Sequence, residues 1–129
     1  MKKVSTPNAP SAIGPYSQAY IAGDFLFTSG QGGINPADGS VVGGGIEAQT
    51  EQTMKNLDEI FKEAGTDFAK AVKTTCFLAD MSDFAAFNSV YERYFTGKPA
   101  RTCVAVKTLP LGILCEVEAV VYLTNKGGE

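Results

Sequence analysis

The 129-residue chain contains no histidine and no tryptophan. The first absence removes much chemistry, because no imidazole is present to act as a base, to activate a serine or cysteine, or to ligate a metal. Cysteine is scarce. Cys76, Cys103 and Cys115 are odd in number, far apart and set in stretches that read as strands, so neither a disulfide framework nor a CxxC zinc pattern is available. They read as reduced, cytoplasmic thiols. Positive charge is also short: 11 Lys and Arg against 14 Asp and Glu give a net charge of −3, which repels a phosphate backbone and makes nucleic acid an unlikely partner. No apolar run reaches membrane length, and Met1-Lys2-Lys3 is not followed by the apolar stretch of a signal peptide, so a cytoplasmic protein without a membrane role is expected.

What is present suits one globular domain over residues 1–129. The chain is 44% hydrophobic and 19% charged, and a chain of this size buries about two-thirds of its surface on folding. Strands are expected over Tyr16–Ile21 and Phe25–Ser29, turned at Gly23-Asp24. Turn chemistry at Asn35–Gly39, a brief strand at Val41-Val42 and Gly43–Gly45 make one glycine-rich loop. Ile46, Thr50, Thr53, Met54, Leu57, Ile60, Phe61 and Ala64 then recur at helical spacing, with Gln49, Glu51, Lys55, Asp58 and Lys62 opposite, and Gly65 ends the helix. Val72–Leu78 reads as a strand. Asp83 is placed to cap a second helix whose apolar face runs from Phe84 to Phe95, stopped by Gly97-Lys98-Pro99. Arg101–Lys107 and Ile113–Leu123 are the last strands, and Lys126–Glu129 is expected to fray. This order predicts an α+β fold, one mixed sheet with both helices on a single face.

In the last two strands both parities are apolar: Cys103, Ala105, Cys115, Val117, Ala119 and Val121 on one, Val104, Val106, Leu114 and Val120 on the other. One sheet face therefore needs a partner, and self-association is the economical one. If Pro110 and Leu111 centre an antiparallel hairpin, Arg101 faces position 120, too far along from Glu116 for one small ligand to touch both in one chain.

Glu116 and Glu118, two apart in a strand, share a face with Leu114, Val120 and Tyr122. A buried carboxylate is costly and has its pKa raised, so at least one of the two should meet a cation, a donor or a bound water; Glu118 suits a structural ion pair. Arg101, fixed at the mouth of a strand by Pro99-Ala100, can fork onto a carboxylate. Ser29-Gly30 ends a strand where backbone N–H groups can approach a ligand. Asn88 is either a ligand donor or a helix-surface amide. Cys103 lies on Arg101's face with nothing nearby in sequence to hold a thiolate, so it reads as packing.

Ile13-Gly14-Pro15-Tyr16-Ser17-Gln18, Thr28-Ser29-Gly30-Gln31, Gln49-Thr50, Asn56-Leu57, Val72–Thr75, Pro99–Val104 and Glu116–Ala119, in this order across the chain, resemble the reactive intermediate deaminase family (RidA, YjgF/YER057c/UK114). The resemblance implies a chorismate-mutase-like fold, a homotrimer with its sheets packed inward as a barrel, and sites in the clefts between subunits. It further implies hydrolysis of 2-imino acids or their enamine tautomers, released by pyridoxal-phosphate dehydratases, to 2-oxo acids and ammonia, with no cofactor and no metal. Carried over by position, Arg101 grips the substrate carboxylate and Glu116 holds the attacking water, while Tyr16, Ser29, Gly30, Asn88 and Cys103 line the pocket. Thr96–Pro99 is shorter than in many relatives, and Leu111-Gly112 stands where a Lys-Asp pair is frequent; by the resemblance both adjoin the cleft, so a substrate range different from the butanoate and propanoate imines is expected. The same resemblance admits two other readings, an endoribonuclease or translation inhibitor and a non-catalytic metabolite-binding trimer.

Overall fold

A computed structural model describes residues 1–123; the expectation for Lys126–Glu129 lies outside them. The element order is β1 (Lys2–Val4), β2 (Ala19–Ala22), β3 (Phe25–Thr28), β4 (Gln31–Gly32), α1 (Gly45–Ala64), β5 (Ala71–Leu78), α2 (Phe84–Tyr94), β6 (Ala100–Ala105) and β7 (Cys115–Tyr122). They form one mixed sheet in the order β1-β2-β3-β7-β5-β6, with β4 also paired to β7. All pairs are antiparallel except β5 with β6.

Both helices cover one face. Along β7 burial alternates, with Cys115, Val117, Ala119 and Val121 inward. Thr50 and Thr53 of α1 meet the Cys115 thiol at 3.6 and 3.7 Å, and the Tyr91 hydroxyl of α2 meets Thr74 of β5 at 2.7 Å. Thr74 and Cys115 have the same parity in the β5–β7 register, so both contacts lie on one side. Met54, Leu57, Ile60, Phe61, Phe87 and Leu26 fill the space between. The other face is left open, and Phe27, Val104 and Tyr20 on it are 43%, 42% and 38% exposed.

Several local expectations are corrected. Val41 makes only an isolated bridge to Ile34, because the turn closed by Asn35 and Ser40 is too tight for a ladder. Asp83 does not cap α2 through its side chain; Asp80 accepts from the Ser82 N–H and starts a 3₁₀ turn that runs into the helix. Gln49 is buried, because its side chain accepts from the Leu114 N–H at 2.8 Å. The expected hairpin at Pro110-Leu111 does not form: β6 pairs only with β5, so Arg101 faces Thr74, and β7 pairs with β5 on its other side. A parallel crossover through α2 decides this, burying an apolar helix face that a hairpin leaves bare.

Candidate functional site

Glu116 sits near the start of β7 with its side chain on the open face, opposite Gly32 of β4 on one side and Phe77 of β5 on the other. Gly30 makes the seat. A Cβ at that position lands 2.1 Å from Glu116 Oε2 and 2.7 Å from its Cδ, so only glycine leaves the carboxylate in place. Burial, and secondarily the charge of Glu118, raises the Glu116 carboxyl above its ordinary value. Among the described residues neither glutamate takes an ion pair or a hydrogen bond. The ion pair expected for Glu118 is absent because Lys73, beside it on the sheet, donates to Thr102 instead.

A cleft of about 480 Å³ opens above Glu116. Gly30, Gln31 and Gly32 line it together with Tyr16, Ile13, Pro110, Leu111 and Ile113. Three buried amides hold this lining. Asn56 of α1 donates to the carbonyls of Gly32 and Ile34 at 3.0 and 2.9 Å. Gln49 fixes Leu114. Gln18 binds Thr6 through both its N–H and its carbonyl and donates to Pro10 at 2.8 Å, tying the segment before Ile13 to the sheet.

Arg101 belongs to a second constellation. Its Nη1 donates to Asn88 Oδ1 at 2.7 Å, and the guanidinium lies 4.9 Å from the Tyr91 ring centre and 5.5 Å from that of Phe84. Asn88 is thus an arginine holder on α2. Cys103 lies two residues on, half-buried, with its thiol pushed up by burial. Facing it, Cys76 is pushed up to about 12, again chiefly by burial.

The predicted residues therefore fall into two groups. Tyr16, Gly30 and Glu116 converge on the open-face cleft, whereas Arg101, Asn88 and Cys103 lie on the helix side at the edge strand. Ser29 joins neither, since its hydroxyl donates to the Ser17 carbonyl at 2.5 Å. The sequence reading missed Ile13, Pro110 and Ile113 in the lining, while Leu111, expected beside the cleft, is found there. Only Leu109-Pro110-Leu111, apolar residues in a turn, hinted at them.

A sequence profile described as Endoribonuclease L-PSP matches residues 6–123. The RutC family protein y4sK of Sinorhizobium fredii is 50% identical over 125 residues, 96% of this chain and 99% of that one. The 2-iminobutanoate/2-iminopropanoate deaminase of Mus musculus is 48% identical over 120 residues, 92% and 89% of the two chains. The crystal structure of E. coli TdcF with bound serine superposes with a TM-score of 0.90 at 34% identity, covering 96% and 100%. With a profile match over almost its whole length and relatives near half identity, the chain belongs to the Endoribonuclease L-PSP family, the YjgF/RidA group.

Proposed function

We infer that the protein hydrolyses 2-imino acids of the 2-iminobutanoate and 2-iminopropanoate type to 2-oxo acids and ammonia. The observation that carries this reading is the Glu116 carboxylate, half-buried, raised in pKa, without a partner among the described residues and seated against Gly30 in an open cleft. A carboxylate that nothing else engages is free to hold a water and take its proton. The deaminase name of the mouse relative and the serine bound in TdcF fit a ligand of amino-acid size.

In the proposed reaction a protonated imine is already electrophilic at C2. Glu116 orients a water and accepts its proton as the oxygen adds to C2. The resulting carbinolamine takes that proton from Glu116 on nitrogen, and the C–N bond breaks to release ammonia as Glu116, a carboxylate again, takes the hydroxyl proton and the C=O forms. A positioned base contributes about 10² to 10⁴ in rate. Arg101, prearranged by Asn88 and two rings, grips the substrate carboxylate. Because it lies on the other side of the sheet, the Arg101 that serves a given Glu116 comes from another copy of the chain, in a trimer whose open faces pack together.

The test generates 2-iminobutanoate in situ and follows ammonia release. Acceleration by the protein that is lost in Glu116→Gln supports the reading. The uncatalysed rate with folded wild-type protein overturns it, and binding of 2-oxobutanoate in that case identifies a non-catalytic metabolite-binding protein.

A further inference from the structure

Two of the three thiols face each other. Cys76 of β5 and Cys103 of β6 are direct partners in the parallel register, and paired neighbours in a sheet carry their side chains to the same side, here the helix side. Adjacent strands run about 4.8 Å apart, inside the Cα separation of roughly 4.4 to 6.8 Å over which two cysteines bridge. Cys115 is no rival. Cys76 faces Val117 on β7, which leaves Cys115 on the diagonal at about 7 to 8 Å, and the Cys115 thiol already meets the Thr50 and Thr53 hydroxyls. The two members of the pair differ in access: Cys76 is wholly buried, whereas Cys103, on the edge strand, is half-buried. The pair also abuts the arginine constellation. Thr74 and Arg101 stand one step earlier on the same face of the same two strands. Thr74 Oγ1 lies 3.9 Å from the Cys76 thiol and 2.7 Å from the Tyr91 hydroxyl, and the Tyr91 ring carries the Arg101 guanidinium at 4.9 Å. Contacts thus run without a break from Cys76 through Thr74 and Tyr91 to Arg101, while Cys103 is joined to Arg101 along its own strand.

We propose that Cys76 and Cys103 close to a reversible disulfide under peroxide, and that closure releases Arg101 from the aim that Asn88 and Tyr91 give it. That a released arginine lowers turnover rests on the reading of Arg101 as the grip on the substrate carboxylate. Cys103, the more accessible thiol, loses its proton and attacks one oxygen of hydrogen peroxide. The O–O bond breaks, the leaving hydroxide takes up a proton, and a sulfenic acid and one water result. Cys76 then loses its proton and attacks the sulfenic sulfur, whose S–O bond breaks to release a second water. Two thiols are oxidised and one peroxide is reduced to two waters. Burial raises both thiols, Cys76 to about 12, with Arg101 and the Cys76 thiol drawing Cys103 partly back, so closure is slow and the pair stays reduced until peroxide persists. The bond pulls two side-by-side side chains together, and the pull reaches Thr74 and Arg101 through the same two strands. A positioning group displaced by about 1 Å costs up to about 100-fold in rate.

The experiment treats the whole protein with hydrogen peroxide. Peptide mass spectrometry should show Cys76 joined to Cys103 within one chain, with two hydrogens lost and regained on adding dithiothreitol. In NMR the side-chain Nε–H signal of Arg101, which needs no substrate, should shift on oxidation and return on reduction. kcat/KM for 2-iminobutanoate should fall about tenfold or more and recover with dithiothreitol. Cys76→Ala, with no second thiol to close the bond, should keep the untreated rate, form no bridge and let dimedone trap the Cys103 sulfenic acid; Cys76→Val serves where the cavity left by alanine unfolds the domain. Peroxide that leaves both thiols free, carries Cys103 past the sulfenic acid with Cys76 untouched, or links Cys103 of two copies overturns the proposal, and so does a bridge that leaves the Arg101 signal where it was. If imines decay no faster than in buffer with the reduced protein, the deaminase reading fails alone, since the bridge and the Arg101 signal are read without turnover. A bridge with a shifted arginine and an unchanged rate supports the disulfide and overturns the assignment of Arg101 as the grip.

Discussion

Arg101 and Glu116 occupy opposite faces of one sheet, with strand β5 between them. Arg101 shares a register row and a face with Thr74, and Thr74 with Ala119, whereas Glu116 is of the other parity and faces away from the helices. Asn88 and the Tyr91 ring of α2 hold the Arg101 guanidinium on the helix side. If both act on one small substrate, the two come from different copies. Mixed oligomers of Arg101→Ala and Glu116→Ala chains, each inactive alone, should then recover activity at about one site in four for random mixing of a cyclic assembly. Activity of the mixture, with exchange verified by mass, checks this; none recovered counts against a shared site.

Gly30→Ala tests the seat of the carboxylate. The backbone there is not left-handed, and the added methyl meets only the movable end of Glu116. The fold should survive while the carboxylate is pushed aside, lowering kcat by about 10² or more. In a Glu116→Ala background the same change should cost nothing further, which a double-mutant cycle reads directly.

The raised carboxyl of Glu116 predicts two pH effects. Its proton is bound more tightly in the folded state, so the associated stability is complete below the unfolded carboxylate pKa and is lost as pH rises through the folded value. Glu116→Gln should therefore be more stable than the wild type at neutral pH, a difference that closes on acidification. As a base, Glu116 should give kcat/KM an acid limb above the ordinary carboxylate range. Glu118→Gln, by removing the neighbouring charge, should move that limb down.

Arg101→Lys should lower kcat/KM by about 10- to 100-fold, because an ammonium replaces a fork that is already aimed by Asn88 and stacked on Tyr91. Cys103→Ala should keep most activity, since burial holds that thiol protonated. Side-by-side steady-state kinetics of the two variants test both statements.

Asn56→Ala leaves the Gly32 and Ile34 carbonyls without their buried donor. A loss of about 2 to 3 kcal/mol in urea unfolding is expected, since unsatisfied buried groups bear the full cost of desolvation.

Legibility from sequence followed periodicity. The 3.6-residue repeat from Ile46 to Ala64, closed by Gly65 in the left-handed region, appears as α1 almost residue for residue. From Cys115 to Tyr122 both parities carry apolar residues, and it is the packing of α1 on Cys115 that makes one of them the inner face. What stayed hidden depends on contacts distant in sequence. β4 is only two residues long and exists because β7 lies beside it. Gln49 reads as a surface amide on a helical wheel and Asn56 has no place in the apolar repeat, and only loop carbonyls and an amide brought from residues 32–34 and 114 make them interior. The placing of β5 between β6 and β7 is likewise a tertiary choice, and it changed the reason for expecting a shared site from distance along a strand to opposition across a sheet.

Strand β7 lies at the centre of the sheet although every other strand precedes it in the chain. During synthesis the β1–β3 meander and the β5–α2–β6 unit emerge first, and neither pairs with the other; each waits for Cys115–Tyr122 to arrive between them. The nascent chain thus carries two incomplete sheets with open edges, and sheet closure, with the seating of Glu116, becomes a single late event. Ribosome-bound chains that end before Cys115 should be protease-sensitive throughout, and chains carrying a linker after Tyr122 long enough to clear the exit tunnel should become protected as a whole.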